Sequence, residues 1–290
     1  MRTFAEHNPI AVAVYFLCVC SAAMFSMDPV ILGISLTGAL TLHFRRCGLS
    51  GGRTHLYSLA LFLVMALVNP LVSHHGVTVL FVMNHNPVTL EALLYGIASA
   101  GMIVAVLYWF RSFTGIMTSD RLLYLFGALS PRLALILSMA LRYVPLFGLQ
   151  ARRTRQAQRA LGLYREDNII DTFRGGLRIF SVMVTWALEN GVVTADSMTA
   201  RGYGIGKRSR FAIFRFTWRD GLLTALSLLL AGGMFWGIHS RSFTYYPTIA
   251  ADPLTLRGLL GYTAYALLAL LPLIMDGKEA LKWHCLRSGI

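Results

Sequence analysis

The fold class of this chain is decided by residues 91–110, EALLYGIASAGMIVAVLYWF, in which nineteen uncharged residues follow Glu91. A helix needs about 20 predominantly apolar residues to cross the hydrocarbon core of a bilayer, so this segment is long enough to span one. Other apolar tracts of spanning or near-spanning length occur at 10–27, 29–44, 56–73, 221–239 and 256–275. The sequence therefore predicts an all-α integral membrane protein with about six transmembrane helices.

The composition argues against a water-soluble fold. Of the 290 residues, 56% are hydrophobic and 13% are charged, whereas soluble domains average about 45–50% apolar and about 25% charged residues. The formal net charge is +13, but a nucleic-acid-binding protein carries its basic face on a polar domain, and the apolar tracts are too long for one. The positive charge instead indicates how the chain is oriented in a membrane.

The distribution of Lys and Arg predicts that orientation. With both termini in the cytoplasm, twenty-four of the twenty-six Lys and Arg residues are cytoplasmic, and only Arg241 and Arg257 are outside. The connection 74–90 has no Lys or Arg, which fits an outer loop. This bias predicts four transmembrane helices in 1–110, a cytoplasmic region in 111–219, and two transmembrane helices with a cytoplasmic tail in 220–290.

The first two apolar tracts are separated by Asp28-Pro29. Proline lacks an amide donor and restricts the residue before it, so one helix should end and another begin there. Because the connection is so short, we expect these two helices to form a tight hairpin.

The region 111–219 has helix signals of its own. Asp120 can cap a short helix. Ser130 and Pro131 place an N-cap residue before a proline at the first helical position, which predicts the start of a long helix. We expect several helices that lie at or just under the inner membrane face.

The apolar part of that long helix, 133–149, is not predicted to be a seventh span. It is interrupted by Arg142. A crossing here would also place thirteen basic residues, from Arg152 to Arg219, outside the cell, and the charge rule argues against this.

A further helix is predicted by apolar residues that recur every three or four positions. They form one stripe of an amphipathic helix, from which Asp171, Gly175 and Glu189 are offset. The stripe consists of Ile169, Phe173, Leu177, Phe180, Val184 and Leu188.

Motifs for nucleotide binding and for zinc-dependent hydrolysis are missing. A P-loop needs GxxxxGK followed by Ser or Thr, and the nearest match, around Gly206-Lys207, has Arg201 and Arg208 at the first glycine and hydroxyl positions. The HExxH motif is absent as well, and the one GxSxG string, 48–52 (GLSGG), lies in the short connection between two apolar tracts rather than on the strand-to-helix turn that a serine hydrolase needs. The chain is therefore predicted not to be an enzyme, and any ATPase that drives it is another chain.

No cofactor or metal site is predicted. The four cysteines form no CxxC pair. His74 and His75 stand in the predicted outer loop, but adjacent histidines point apart on a helix or strand, and no carboxylate or cysteine lies nearby in the sequence.

Three residues in or next to the apolar segments are candidates for a structural or coupling role. Glu91 begins a predicted span, where an intramembrane acid is often functional, but a carboxylate two residues after the N-cap Thr89 also stabilises a helix start. Arg142 lies three residues before Pro145, and a proline frees a carbonyl about one turn earlier. We expect Arg142 to act as a structural brace rather than to contact a transported molecule.

Several short strings, read in order, resemble the T component, the transmembrane coupling subunit, of energy-coupling factor (ECF) transporters, a group of ABC importers. The resemblance covers about residues 55–220, and its last string is the most specific. The strings are 69–71 (NPL), 89–91 (TLE), 95–96 (YG), 141–145 (LRYVP), 157–158 (AQ) and 195–203 (ADSMTARGY).

The resemblance implies a non-catalytic subunit in the cell membrane of a bacterium or archaeon. Its partners would be two cytoplasmic ABC ATPases and a separate membrane protein, the S component, which captures a vitamin, a related micronutrient or a metal ion. Two coupling helices would each end in an Ala-Arg-Gly motif that docks into a groove on one ATPase.

One of the two motifs is intact. It is Ala200-Arg201-Gly202, whereas alignment on 157–158 places Ala160-Leu161-Gly162 where the other is expected. Arg159 lies two residues before Leu161, or about 200° around a helix, so it cannot replace the missing arginine on the same face.

Two other classes of function remain open at this stage. A multi-span membrane enzyme or lipid-modifying protein could use the basic helices to bind anionic headgroups, but it would need titratable residues that converge at one membrane depth. A self-sufficient permease or channel would need polar residues inside several spans. Both kinds of residue are scarce in the apolar tracts.

Overall fold

The structure is a computed structural model that describes residues 4–48, 52–73, 76–83, 86–162, 169–206, 214–239, 243–253 and 255–287. Within these ranges the chain folds into nine α-helices, and its strands are confined to two short antiparallel hairpins. The prediction of an all-α fold is confirmed.

The helices follow the predicted segments closely. They are α1 (Pro9–Phe25), α2 (Pro29–Cys47), α3 (Gly52–Val72), α4 (Leu90–Ile116), α5 (Ser119–Leu129), α6 (Pro131–Ala160), α7 (Ile169–Ala200), α8 (Trp218–Ile238) and α9 (Leu256–Arg287). One hairpin pairs β1 (Val79–Met83) with β2 (Asn86–Thr89), and the other pairs β3 (Phe243–Thr244) with β4 (Ala250–Ala251). Asp120 lies in the first turn of α5 rather than at its cap.

Five helices in the described part of the chain are long and apolar enough to cross a membrane: α3, α4, α6, α8 and α9. This set differs from the six predicted tracts. The apolar helix α1 has only 17 residues, and α2 contains polar residues such as Thr37, Thr41 and His43. Because α6 meets the same criteria of length and composition, the number of spans stays a prediction.

The chain divides into two compact units, of which the first comprises residues 1–122 and 214–290 and the second residues 123–213. In the first unit, α1 packs against α4 and α8, α2 against α4 and α9, α3 against α4, and α8 against α9. Its core contains the fully buried side chains of Tyr15, Trp109 and Tyr265. Because lipid is as apolar as these residues, close packing rather than expulsion from water holds such helices together.

Two polar side chains of this core form hydrogen bonds to neighbouring helices. The Tyr15 hydroxyl donates to the backbone oxygen of Leu268 (3.1 Å), and Nε1 of Trp109 donates to Oγ of Ser35 (3.1 Å). An unpaired polar group would be costly in an apolar interior, so these bonds help to fix the positions of α1, α2, α4 and α9.

The predicted break between α1 and α2 is confirmed, but the tight hairpin is wrong. Asp28 is the N-cap of α2, and its Oδ1 accepts from the Val30 amide (3.1 Å). The connection is held by other segments, since Tyr262 of α9 donates to the Asp28 carboxylate and the Tyr245 hydroxyl donates to the Met27 carbonyl oxygen (2.9 Å). Burial raises the pKa of Tyr245 to about 12, which keeps this donor protonated. The two helices pack mainly against other helices rather than against each other.

Candidate functional site

In the second unit, α6 and α7 contact each other through aromatic and hydroxyl side chains. The Phe147 and Trp186 rings meet edge to face with their centroids 5.6 Å apart, and Tyr143 stacks on Phe147. The Tyr143 and Thr194 hydroxyl oxygens are 3.0 Å apart, within hydrogen-bonding distance. Because Tyr143 pairs with Thr194 whereas the later Phe147 pairs with the earlier Trp186, α6 and α7 run antiparallel.

The side of α7 that packs is not the side with the predicted apolar stripe. Gly175 and Ile179, which are offset from the stripe or beside it, are buried. All six stripe residues are exposed, from 41% for Val184 to 91% for Ile169. Contiguous exposed apolar surface of this kind marks a surface that contacts a protein or a membrane.

The C-terminal end of α7 forms a Schellman motif. Arg201 follows the last helical residue, and Gly202 comes next with φ +78°. The Tyr203 amide donates to the Met198 carbonyl oxygen (3.0 Å), and the Gly202 amide donates to that of Thr199 (2.9 Å). These two bonds satisfy carbonyls that a helix end would otherwise leave open. Since the left-handed conformation strains any residue with a Cβ, the motif favours glycine at 202.

The C-terminal end of α6 has a matching geometry. Ala160 is the last helical residue and Leu161 is the C-cap. Gly162 has φ +66°, and its amide donates to the carbonyl oxygen of Arg159 (3.0 Å), three residues earlier, as the Gly202 amide does at the end of α7. Leu161 therefore occupies the backbone position that Arg201 occupies on α7.

Side-chain chemistry distinguishes the two ends. Ala200, Arg201 and most of the residues that follow are exposed, so the Arg201 guanidinium is accessible to a partner. Leu161 is 72% exposed and offers an apolar tip instead. Arg159 is also exposed, but it belongs to the last helical turn rather than to the cap. The positive charge of Arg201 also complements the negative end of the α7 dipole.

Arg142 and Pro145 are both exposed on α6, which remains helical through the proline. In the described part of the chain, no carboxylate forms an ion pair with Arg142. The brace that we predicted needs a buried guanidinium with a partner, and the residues that the structure describes supply neither. The role of Arg142 stays a prediction.

Glu91 is buried at the start of α4 and holds the preceding loop. Its Oε1 accepts hydrogen bonds from the Thr78 hydroxyl (2.7 Å) and the Thr78 amide (3.2 Å). Thr89 is the N-cap, and its Oγ1 accepts from the Ala92 amide (3.4 Å). Glu91 thus ties the loop before α4 to the first turn of the helix, which is compatible with the structural role that we predicted as one of two alternatives.

Two of the strings that carry the family resemblance meet where α3 crosses α4. A Cβ added at Gly96 would lie 2.7 Å from the Ala66 carbonyl oxygen and 3.1 Å from Cβ of Asn69, so only glycine allows the helices to approach this closely here. Beside it, the Tyr95 ring meets the Tyr245 ring edge to face, with centroids 5.4 Å apart. The strings at 69–71 and 95–96 are therefore parts of one packing contact.

A buried polar cluster around Asp220 was not predicted. Oδ1 of Asp220 lies 2.7 Å from Nδ1 of His7 and accepts from the Asn8 amide (3.1 Å). Its other oxygen, Oδ2, accepts from the amide (2.9 Å) and hydroxyl (2.6 Å) of Thr217. The Thr217-x-x-Asp220 spacing is a capping box and could have been recognised in the sequence. The partners at the N-terminus could not, because more than 200 residues separate them.

No metal site is found among the described residues, in which no three His, Cys, Asp or Glu side chains are grouped to hold an ion. His74 and His75 lie outside the described residues. Cys18 and Cys20 are free thiols in α1.

Comparison with known proteins finds no matching family model. The chain is 31% identical over 104 residues to the energy-coupling factor transporter transmembrane protein EcfT 1 of Listeria monocytogenes, a match that covers 35% of this chain and 39% of that protein. It is 30% identical over 107 residues to EcfT of Brevibacillus brevis, covering 36% of this chain and 40% of the relative. The match to EcfT of Lacticaseibacillus paracasei is 32% over 102 residues, covering 34% and 39%.

These matches span about two fifths of the length of the relatives. They are consistent with the strings recognised in the sequence, and the predicted resemblance is confirmed. The chain is thus a multi-pass helical membrane protein that, over about a third of its length, resembles the transmembrane T component of energy-coupling factor transporters.

Proposed function

We propose that this chain is the transmembrane coupling subunit of an ECF-type ABC importer. It transmits ATP-driven motion from two cytoplasmic ATPases to a membrane-embedded S component, which captures a vitamin, a related micronutrient or a metal ion. The observation that carries the proposal is the end of α7, where an exposed Arg201 sits on a hydrogen-bonded helix cap within the string most typical of the family.

The geometry of the cap suits a mechanical joint. A guanidinium can bind a carboxylate through two parallel hydrogen bonds, which fixes direction as well as distance. An apolar contact alone can slide. With 30 residues in α6 and 32 in α7, each helix is about 45–48 Å long, so movement at the tip can be carried across the unit.

The exposed stripe of α7 supports a second contact, with membrane-embedded partners. Its six residues are exposed, whereas the buried residues of α7 are Gly175 and Ile179. An S component or the lipid surface would cover this apolar area. The C-terminal ends of α6 and α7 would then contact the ATPases, and the exposed stripe of α7 would contact the S component or the lipid.

We place residues 111–219 and both termini in the cytoplasm, with 74–90 outside, in the cell membrane of a bacterium or archaeon. The charge distribution supports this topology although α6 is long enough to cross. Single cysteines introduced at 80 and 165, with the native cysteines removed, test it by labelling in intact cells. A membrane-impermeant maleimide should label position 80 only, and labelling of 165 but not 80 would reject the orientation.

The proposed division of labour leaves ATP hydrolysis to the partner chains. A tagged chain purified from its native membrane should bring two ABC ATPases and an S component with it, identified by mass spectrometry. Stripped of partners, it should neither bind nor hydrolyse ATP. Nucleotide turnover by a preparation free of other subunits would contradict the proposal.

A further inference from the structure

The helices α8 and α9 enclose a cavity at one end of their contact. At the opposite end their backbones touch, since a Cβ added at Gly237 would lie 2.7 Å from the Gly261 Cα atom. Residues from Trp218 to Leu230 on α8 and from Leu267 to Lys278 on α9, together with His7 and Thr217, line a cavity of about 910 Å³. This volume is within the range of sites that hold small ligands.

Six of the thirteen residues that line the cavity are leucines, and Ile274 and Met275 add to its apolar wall. Leu223 and Leu271 are buried at its floor, whereas Leu226 is 39% exposed and Leu267 is 53% exposed. Among the described residues that line it, none is Asp or Glu. A flexible apolar chain could lie in this cavity without leaving a buried charge unpaired.

Two cations stand at the mouth of the cavity. Arg219 is in the first turn of α8, and Lys278 lies 22 residues into α9; both are exposed lining residues. The Arg219 guanidinium lies 6.0 Å from the centre of the Trp218 ring, which is 74% exposed. Since α8 has 21 residues and is about 31 Å long, a spanning α8 would place Trp218 and Arg219 at a membrane–water interface.

We propose that this cavity binds an anionic phospholipid of the cytoplasmic leaflet. The phosphate lies between Arg219 and Lys278, and an acyl chain lies along the leucine wall. Basic pockets between transmembrane helices on the cytoplasmic side favour anionic headgroups, and the two cations give the site that charge preference. The leaflet follows from the predicted orientation, but the site is independent of the proposed coupling role.

The test compares lipid retention by the full-length chain in micelles with equal amounts of phosphatidylglycerol and phosphatidylcholine, measured by native mass spectrometry. The wild type should retain phosphatidylglycerol in preference. Arg219→Gln and Lys278→Gln should each weaken this preference by about fivefold. Leu226→Trp should fill the cavity and reduce retention of lipid without changing any charge.

Arg257→Gln is the matched control, because Arg257 is also exposed and lies over a tryptophan ring, that of Trp236, away from the cavity. It should retain lipid as the wild type does. Melting in lipid-free detergent shows which variants fold, and the charge-keeping Arg219→Lys should preserve the preference. Equal retention of the two lipids by the wild type, or undiminished preference after both Gln substitutions, would overturn the assignment.

Discussion

The ends of α6 and α7 can be compared residue by residue. Each helix ends at an alanine, continues with an exposed cap residue, and turns at a glycine with positive φ, whose amide bonds to a carbonyl three residues earlier. The cap residue is Leu161 on one helix and Arg201 on the other. Backbone geometry is thus shared, and the side chain presented at the tip is what differs.

This difference separates two roles of an Ala-x-Gly sequence. The glycine determines how the helix ends, because it accepts the left-handed conformation without strain. The middle residue determines which surface the tip can bind, a carboxylate for arginine and an apolar groove for leucine. If both tips dock as we propose, the two ATPase grooves that receive them differ in chemistry.

The largest effect should come from Arg201→Ala. Removing one partner of a buried, hydrogen-bonded charge pair costs about 2–5 kcal/mol, so co-purification of the ATPases and substrate uptake should be lost. Arg201→Lys should recover only part of the binding, since lysine keeps the charge without the planar fork. Arg153→Ala, at another exposed arginine, is the control. Full uptake by Arg201→Ala would contradict docking through this residue.

Leu161→Arg should be the next most damaging change, although it makes the two tips alike. A guanidinium pressed into an apolar groove without a partner should weaken ATPase binding by about 2 kcal/mol, whereas Leu161→Met, which keeps an apolar tip, should cost less than about 1.5 kcal/mol. Quantitative pull-down of the ATPases measures both. Binding that is unchanged or stronger in Leu161→Arg would show that the first groove is acidic.

The cap geometry that α6 and α7 have in common can be perturbed without changing the side chain at either tip. Gly202→Ala and Gly162→Ala should each destabilise their helix end by about 1–2 kcal/mol, because alanine is strained at positive φ. Hydrogen exchange at the Tyr203 amide, which bonds to Met198, reports the change on α7. Gly191→Ala is a control of opposite sign, since Gly191 lies within α7 with open space around it, and alanine there should stabilise the helix by about 0.5–1 kcal/mol. If the Tyr203 amide exchanges no faster in Gly202→Ala than in Gly191→Ala, the proposed cap at the end of α7 is contradicted.

The sequence predicts a structural feature well when that feature depends on residues that are close together in the chain. Composition and apolar tracts predict the helices, and Ser130-Pro131 predicts the start of α6, because each depends on neighbouring residues. Hydropathy does not decide whether α6 crosses the membrane, because its apolar length and its charges argue in opposite directions.

Contacts between distant segments could not be predicted. Periodicity located α7 but not its packing side, since the strongest apolar stripe is the uncovered one and the buried side includes Gly175 and Ile179. The bond from Thr78 to Glu91 and the contact of His7 with Asp220 depend on tertiary folding in the same way. For the candidate site, the sequence alignment already paired Leu161 with Arg201, and the structure adds that both are C-cap residues before a glycine with positive φ.

The smallest effect should come from Arg159→Ala. This variant tests whether Leu161, rather than Arg159, is the counterpart of Arg201 in ATPase binding. Arg159 lies in the last turn of α6, about 200° around the helix from Leu161, so it cannot face the same groove. An exposed ion pair is worth about 0–1 kcal/mol, and ATPase retention should therefore fall by no more than about fivefold. The same pull-down and uptake assays measure this against Arg201→Ala. If Arg159→Ala instead removes the ATPases as completely as Arg201→Ala does, the first ATPase is held through the side of α6 rather than through its tip. Leu161 would then match Arg201 in backbone geometry but would not be its counterpart in binding.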